Sequence, residues 1–235
     1  MNRSMFLASS TSLFALAQAK ASAQAVPGGT HDVERAADFD KSAFARAADR
    51  GLVRMVWEQV AFHPQVLANI KNAFNGLQFG FGHAPSQIAM AMANHGASSA
   101  YAYSEYLWRK YRIGEALKLK NAAGNAVTSN VYVKAPRAPE LGANPDDENG
   151  FYQDTSIEAL QARGLLMLTC HTAVEEQARA FVKGGFAPAG MTAGAVAADI
   201  LTHLIPGAVV VPSMVATIAE LQQLYRYGFI SPAFA

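Results

Sequence analysis

The chain has 235 residues, with 19 basic and 18 acidic side chains and a formal net charge of +1. This near-neutral balance, without a basic cluster, argues against nucleic acid as a partner. Hydrophobic residues make up 51% of the chain, which is enough to bury a core. A single cysteine excludes an internal disulfide, so the fold must rest on that core.

The first 23 residues have the features of an export signal. Arg3 precedes an apolar run over residues 5–17, and the small residues 21–23 form a cleavage site before Gln24. The run is too short and too rich in Ser and Thr for a permanent membrane anchor. We expect a periplasmic protein, exported by the Sec route or by a degenerate twin-arginine-like signal in which Ser4 replaces the second arginine.

Strands and helices then alternate along the chain. After a polar leader (24–50) with a short helix over 40–50, we expect one domain over 51–235. A helix beginning at His63 is indicated by Leu67, Ile70, Phe74 and Leu77, which share one helix face. The elements predicted in the first half of this domain are a strand over 52–60, that helix, a strand over 87–94 and a helix over 99–117.

The segment from 121 to 150 has no sustained hydrophobic period. It contains three prolines, three glycines and the acidic run 146–148. Such a composition is typical of a long surface excursion, and a short hairpin is expected around 130–134.

Regular alternation returns after residue 150. The predicted elements are helix 155–162, strand 165–169, helices 172–182 and 192–204, strand 207–211, helix 213–225 and an edge strand over 228–230. Near-continuous apolar strands separated by helices indicate an α/β three-layer sandwich, with a mostly parallel sheet of about five strands and helices on both faces. Ligands of such sheets bind at the carboxyl ends of strands, which favours the loops at 95–96, 170–171 and 212–213.

Cys170 is the most informative residue of these loops. Thr172 and Glu175 match a capping box, which predicts a helix start at Thr172 and places Cys170 two residues outside the first turn. Backbone N–H groups at a helix start favour a thiolate, whereas Glu175 and Glu176 oppose one. The sequence therefore leaves two interpretations open: Cys170 is a reactive thiol with His171 and His95 as neighbours, or it is a small buried hydrophobe.

The other chemical signals are weak. The histidines and Cys170 show no local metal-ligand spacing, so no metal site and no cofactor are expected. The stretch from Phe79 to His83 contains turn glycines but no phosphate-binding motif, and it predicts a turn after the preceding helix. The aromatic residues of 99–117 predict core and interface packing rather than a ligand cage.

Four segments resemble the DsrE/DsrF-like family, and within it an exported branch. They are VLANIKNAFNGLQFGFG (66–82), IAMAMANHG (88–96), LLMLTCHTA (165–173) and HLIPGAVVVPSMVATIAELQQLYRYGFI (203–230). The resemblance implies a flavodoxin-like fold and a homo-oligomer. It also implies that Cys170, which stands at the position of the family's sulfur-carrying cysteine, holds a persulfide received from a small sulfur compound.

Two functional hypotheses follow from the sequence. In the first, the protein is an exported sulfane-sulfur carrier whose acceptor is Cys170, assisted by His95 and His171 as acid, base or orienting groups. In the second, it is a non-catalytic binding or assembly protein. There Cys170 is structural and the aromatic helix over 99–117 forms the oligomer contact. The sequence does not decide whether the protein is an enzyme.

Overall fold

A parallel five-stranded sheet forms the centre of the molecule. The computed structural model describes residues 35–37, 39–134 and 144–232, so the predicted export signal lies outside the described residues. The strands are β1 (Val53–Gln59), β2 (Ile88–Asn94), β3 (Leu165–Cys170), β4 (Ala208–Val211) and β5 (Gly228–Ile230). They pair in the order β4-β3-β2-β1-β5, and every pair is parallel.

The described ranges contain eight α-helices and four short segments of π- or 3₁₀-helix. The α-helices are α1 (Lys41–Ala48), α2 (Gln65–Asn75), α3 (Glu105–Lys110), α4 (Ile113–Ala116), α5 (Ile157–Ala162), α6 (His171–Lys183), α7 (Ala193–Thr202) and α8 (Met214–Gln223). The short segments are a π-helix (Gly76–Gly80) and three 3₁₀ helices (Pro85–Gln87, Gly96–Ala102 and Phe151–Gln153). None of the helices in these ranges combines the length and the apolar character needed to cross a membrane.

Helices cover the sheet on both faces. Ile70 of α2 and Leu160 of α5 belong to the core cluster on one face, and Phe44 of α1 and Ile218 of α8 belong to the cluster on the other. Every residue of β2 and β3 is buried, as expected for parallel strands that are covered on both sides. The predicted fold class, a flavodoxin-like α/β three-layer sandwich, is confirmed.

The strand order determines where the sheet opens. The chain moves outward from β1 to β4 in one direction, so right-handed crossovers place those connections on one face. It then returns through α8, on the other face, to place β5 beside β1. The connections after β3 and β4 therefore leave toward opposite faces. This creates a crevice at the carboxyl ends of these two strands, where ligands of open α/β sheets bind.

The predicted helix over 99–117 is wrong. The segment forms a 3₁₀ helix, then α3, then α4, with breaks at Tyr103 and at Arg112. Tyr103 leaves the helical path because its backbone forms an antiparallel bridge with Leu204. Arg112 has a φ of 45°, in the left-handed region, which ends α3 and redirects the chain. Tertiary pairing thus overrides the helical periodicity of this segment.

The predicted hairpin around 130–134 is also misplaced. An antiparallel bridge joins Lys120 to Ala126 instead, and residues 131–134 form turns and bends. Asn130 is buried, and its Nδ2 atom donates to the carbonyl oxygens of Tyr101 and Tyr103 at 3.1 and 2.9 Å. This amide side chain is therefore one of the anchors that hold the excursion against the core.

Candidate functional site

Cys170 lies at the crevice between β3 and β4. It is the last residue of β3 and pairs with Val211, the last residue of β4. Alternation along the strand directs Leu166, Leu168 and Cys170 toward the face that α8 covers, and only 4% of Cys170 is exposed. The backbone N–H of Met214, the first residue of α8, donates to the Cys170 Sγ at 3.3 Å.

The predicted start of α6 is off by one residue. The helix begins at His171, so Cys170 is its N-cap residue and lies closer to the helix than the sequence indicated. No side chain caps the helix. The capping box does not form because the Thr172 Oγ1 donates to the Pro212 carbonyl oxygen at 3.0 Å. Thr172 therefore ties the start of α6 to the loop that precedes α8.

Two helices begin beside Cys170, and the first N–H of one of them bonds its sulfur. Cys170 is the N-cap of α6, which has 13 residues, and it accepts a hydrogen bond from the first N–H of α8, which has 10 residues. The exposed N–H groups at a helix start act as a partial positive charge, which stabilises an anion such as a thiolate. Glu175, whose negative charge was expected to oppose a thiolate, forms an ion-pair contact with Arg179 at 3.9 Å.

Tyr103 and Gln177 form a hydrogen-bonded pair of neutral side chains near Cys170. Burial raises the pKa of Tyr103 well above its usual range, and the nearby Cys170 raises it further. The Tyr103 hydroxyl donates to the Gln177 Oε1 at 2.8 Å, and the Gln177 amide in turn donates to the Gly96 carbonyl oxygen. The sequence predicted Tyr103 only as a packing residue. The sequence did not predict the helix break at residue 103, so it gave no reason to place Tyr103 near Cys170.

The two predicted histidines lie at different positions relative to Cys170. The His95 Nε2 lies 3.2 Å from the Glu58 Oε1, so this ring contacts β1, whereas Cys170 belongs to β3 on the other side of β2. His171 follows Cys170 directly as the first residue of α6 and is half-buried. Of the two, His171 is therefore the better placed to act on the thiol.

Cavities flank the carboxyl edge on either side of Cys170. One of about 280 Å³ lies beyond β1 and β5 and is lined in part by Glu58, Gln59 and His63. Another of about 260 Å³ lies beside α8 and is lined in part by Ser213 and Thr217. Cys170 lines neither, but Ser213 directly precedes Met214, the residue whose N–H reaches the sulfur.

Two buried polar groups at this edge were missed by sequence reasoning. Asn94 is the last residue of β2 and Thr169 the next to last of β3; they pair with each other in register and are fully buried. Their Oδ1 and Oγ1 atoms have no hydrogen-bond partner among the described residues. The available signal was a polar residue at the end of an apolar strand, which sequence reasoning treated as a boundary.

The described ranges contain no cluster of three His, Cys, Asp or Glu side chains that could hold a metal ion.

The aromatic residues of 99–117 are mostly core residues, as predicted, since Tyr101, Tyr103, Trp108 and Tyr111 are fully buried. Their burial removes them from any contact with a second copy. The oligomer contact assigned to this segment is therefore limited to exposed side chains such as Tyr106.

Comparison with known proteins finds no matching family model, no matching curated protein and no matching solved structure. The resemblance to the DsrE/DsrF-like family therefore stays a prediction, and the functional argument depends on the geometry of the crevice.

Proposed function

We propose that Cys170 is a sulfane-sulfur acceptor and that the protein carries the sulfur as a persulfide. One observation carries this proposal: the Met214 N–H donates to the Sγ atom at the point where the starts of α6 and α8 meet. Thiolates and persulfide anions are both stabilised by such N–H groups. The DsrE/DsrF-like resemblance and the crevice between β3 and β4 support the same assignment.

The transfer is a simple exchange between sulfur atoms. The Cys170 thiolate attacks the terminal sulfur of a polysulfide dianion, a new S–S bond forms, and the adjacent S–S bond breaks. The shortened polysulfide dianion leaves with the electron pair, and the protein keeps a persulfide anion, so charge and atoms balance without an added oxidant. His171, next to Cys170 at the start of α6, takes up the proton as the thiol ionises. With the predicted export signal, the carrier operates in the periplasm.

A non-catalytic binding or assembly protein is the second candidate. It is favoured by the burial of Cys170, of which only 4% is exposed, because free cysteine in a core behaves as a small hydrophobe. In this case the contact between Met214 and the sulfur satisfies a backbone donor and has no chemical role.

Intact-mass analysis after exposure to polysulfide separates the two candidates. Because Cys170 is the only cysteine, a gain of one sulfur atom on the folded protein identifies it directly, and Cys170→Ser is the matched control. The carrier predicts a gain on the folded wild type. A wild type that gains sulfur only in denaturant supports the structural role and rejects the carrier.

A second pair of variants tests the hydrogen bond that supports the proposal. Met214→Pro removes the N–H, and proline is well tolerated at the first helical position. Met214→Ala is the control, because it removes the side chain and keeps the N–H. A hydrogen bond to a charged group contributes about 1.5–3 kcal/mol, so the proline variant should be alkylated about tenfold more slowly than the alanine variant at neutral pH. Equal rates would remove the main support for a stabilised thiolate.

A further inference from the structure

Arg163 is a buried cation at the amino edge of the sheet, the opposite edge from Cys170. It directly follows α5 and precedes β3, and only 8% of it is exposed. Its guanidinium lies between two aromatic rings, with the Cζ atom 4.8 Å from the Phe74 centroid and 5.2 Å from the Tyr152 centroid. Stacking of this kind holds the planar group in one orientation.

The charge of Arg163 has no counter-ion in the described part of the chain. The Nη2 atom donates to the Gln78 Oε1 at 3.4 Å, and the Nη1 atom has no hydrogen-bond partner among the described residues. Burial lowers the pKa of Arg163 to about 10, so the group is still charged at neutral pH.

A cavity of about 300 Å³ opens in front of this guanidinium. Besides Arg163 and Gln78, its lining consists of apolar and aromatic side chains, among them Pro85, Ile88 and Ala162. The volume is at the lower end of the range for small-molecule sites, and an apolar wall with one polar group is typical of them. An unpaired buried charge is costly unless a partner of opposite sign neutralises it.

The wall of this cavity includes a π-helix, a rare conformation that occurs mostly at functional sites. The π-helix Gly76–Gly80 contributes Gln78, and its Phe79 ring packs edge-on against Tyr152 at 5.0 Å between centroids. The Asn75 Nδ2 donates to the Tyr152 carbonyl oxygen at 3.0 Å, which fixes the opposite side. The predicted turn over 79–83 is thus partly wrong, because Phe79 and Gly80 are helical.

We propose that this cavity binds a small organic carboxylate. Its carboxylate pairs with the Arg163 guanidinium, and its apolar body packs against Ile88 and Pro85. A single cation in an otherwise uncharged lining matches a monoanion, whereas a phosphate dianion would need several more donors. The site is separate from Cys170, because the six residues of β3 hold the two edges roughly 20 Å apart.

The test is calorimetric titration of the full chain with benzoate, with benzyl alcohol as the neutral analogue and inorganic phosphate as the alternative anion. Benzoate should bind with an affinity at least tenfold higher than either analogue. Arg163→Met should lower that affinity at least tenfold, whereas Arg109→Met, which removes an exposed guanidinium from α3, should leave it unchanged.

Ala162→Leu is a second variant, which narrows the cavity without altering Arg163. Helix content measured by circular dichroism confirms that each variant is folded, and reduced binding by Ala162→Leu supports the site even if Arg163→Met fails to fold. Absence of benzoate binding to the wild type, equal binding of benzyl alcohol, or binding of phosphate alone would each overturn the proposal. Because Cys170 takes no part in this titration, its result does not depend on the sulfur-carrier proposal.

Discussion

The candidate sites at the two edges of the sheet differ in the charge that they carry at neutral pH. At the carboxyl edge, the Cys170 sulfur accepts a hydrogen bond from the Met214 N–H and lies near the neutral Tyr103, and this residue carries a charge only when its thiol ionises. At the amino edge, Arg163 is charged at neutral pH, and no described side chain neutralises that charge. The first edge is suited to stabilising a reacting group, and the second to retaining an anion that is already formed.

The difference also appears in the expected response to alkaline pH. Tyr103 has a raised pKa, so above pH 10 the unfolded chain loses this proton while the folded chain keeps it, and stability falls. Arg163 has a lowered pKa of about 10, so above that pH the folded chain loses its proton first, and stability rises. The two residues therefore contribute effects of opposite sign in the same alkaline range.

The largest expected effect is from Trp108→Ala. Trp108 is fully buried in the cluster formed by α3, α6 and α7, and its Nε1 donates to the Ala100 carbonyl oxygen at 3.0 Å. Removing a buried Trp costs about 3–5 kcal/mol, which urea denaturation would show as a lower free energy of unfolding. We expect faster alkylation of Cys170 and unchanged benzoate affinity at Arg163. A parallel loss of benzoate binding would show that the two edges are not independent.

A smaller effect is expected from Tyr103→Phe. The variant leaves the Gln177 Oε1 without its donor, which costs about 1 kcal/mol at neutral pH. Above pH 10 it should lose stability less steeply than wild type, by about 1.4 kcal/mol per pH unit, because one titrating phenol has been removed. Urea denaturation at several pH values measures both. An unchanged slope above pH 10 would contradict the raised pKa of Tyr103.

The sheet could be predicted from the sequence because its strands are short apolar runs between clear breaks. The position of Cys170 at the end of β3 followed from the same pattern, and only the start of α6 was misplaced. That error arose because Thr172 bonds the Pro212 carbonyl oxygen, a contact across 40 residues that no local motif records. The helix over 99–117 failed for a similar reason, since the bridge between Tyr103 and Leu204 is non-local.

The Arg163 cavity was not predictable from the sequence. Its parts come from α2, the π-helix, the 3₁₀ helix at 151–153 and the end of α5, and none of these segments has a binding motif. An arginine after a helix is ordinarily interpreted as a favourable charge at a helix C-terminus. Only the packed structure shows that the guanidinium is buried between Phe74 and Tyr152 rather than at the surface.

The smallest effect distinguishes two threonines at the carboxyl edge. Thr169 is fully buried and its hydroxyl has no partner among the described residues, whereas the Thr172 hydroxyl donates to the Pro212 carbonyl oxygen. Replacing an unsatisfied buried hydroxyl with a methyl group removes a desolvation cost, so Thr169→Val should raise the free energy of unfolding by about 1 kcal/mol. Thr172→Val should lower it by a similar amount, because a hydrogen bond is lost.

Urea denaturation of both variants at neutral pH measures the two changes in the free energy of unfolding. The alkylation rate of Cys170 shows whether either variant also alters access to the thiol. Because Thr172 ties the start of α6 to the loop before Met214, its loss should also speed alkylation, whereas Thr169→Val should not. A destabilised Thr169→Val would mean that its hydroxyl binds an ordered water in the folded protein. The carboxyl edge would then hold a polar group ready for a ligand, as the amino edge does, and the contrast between the two edges would narrow.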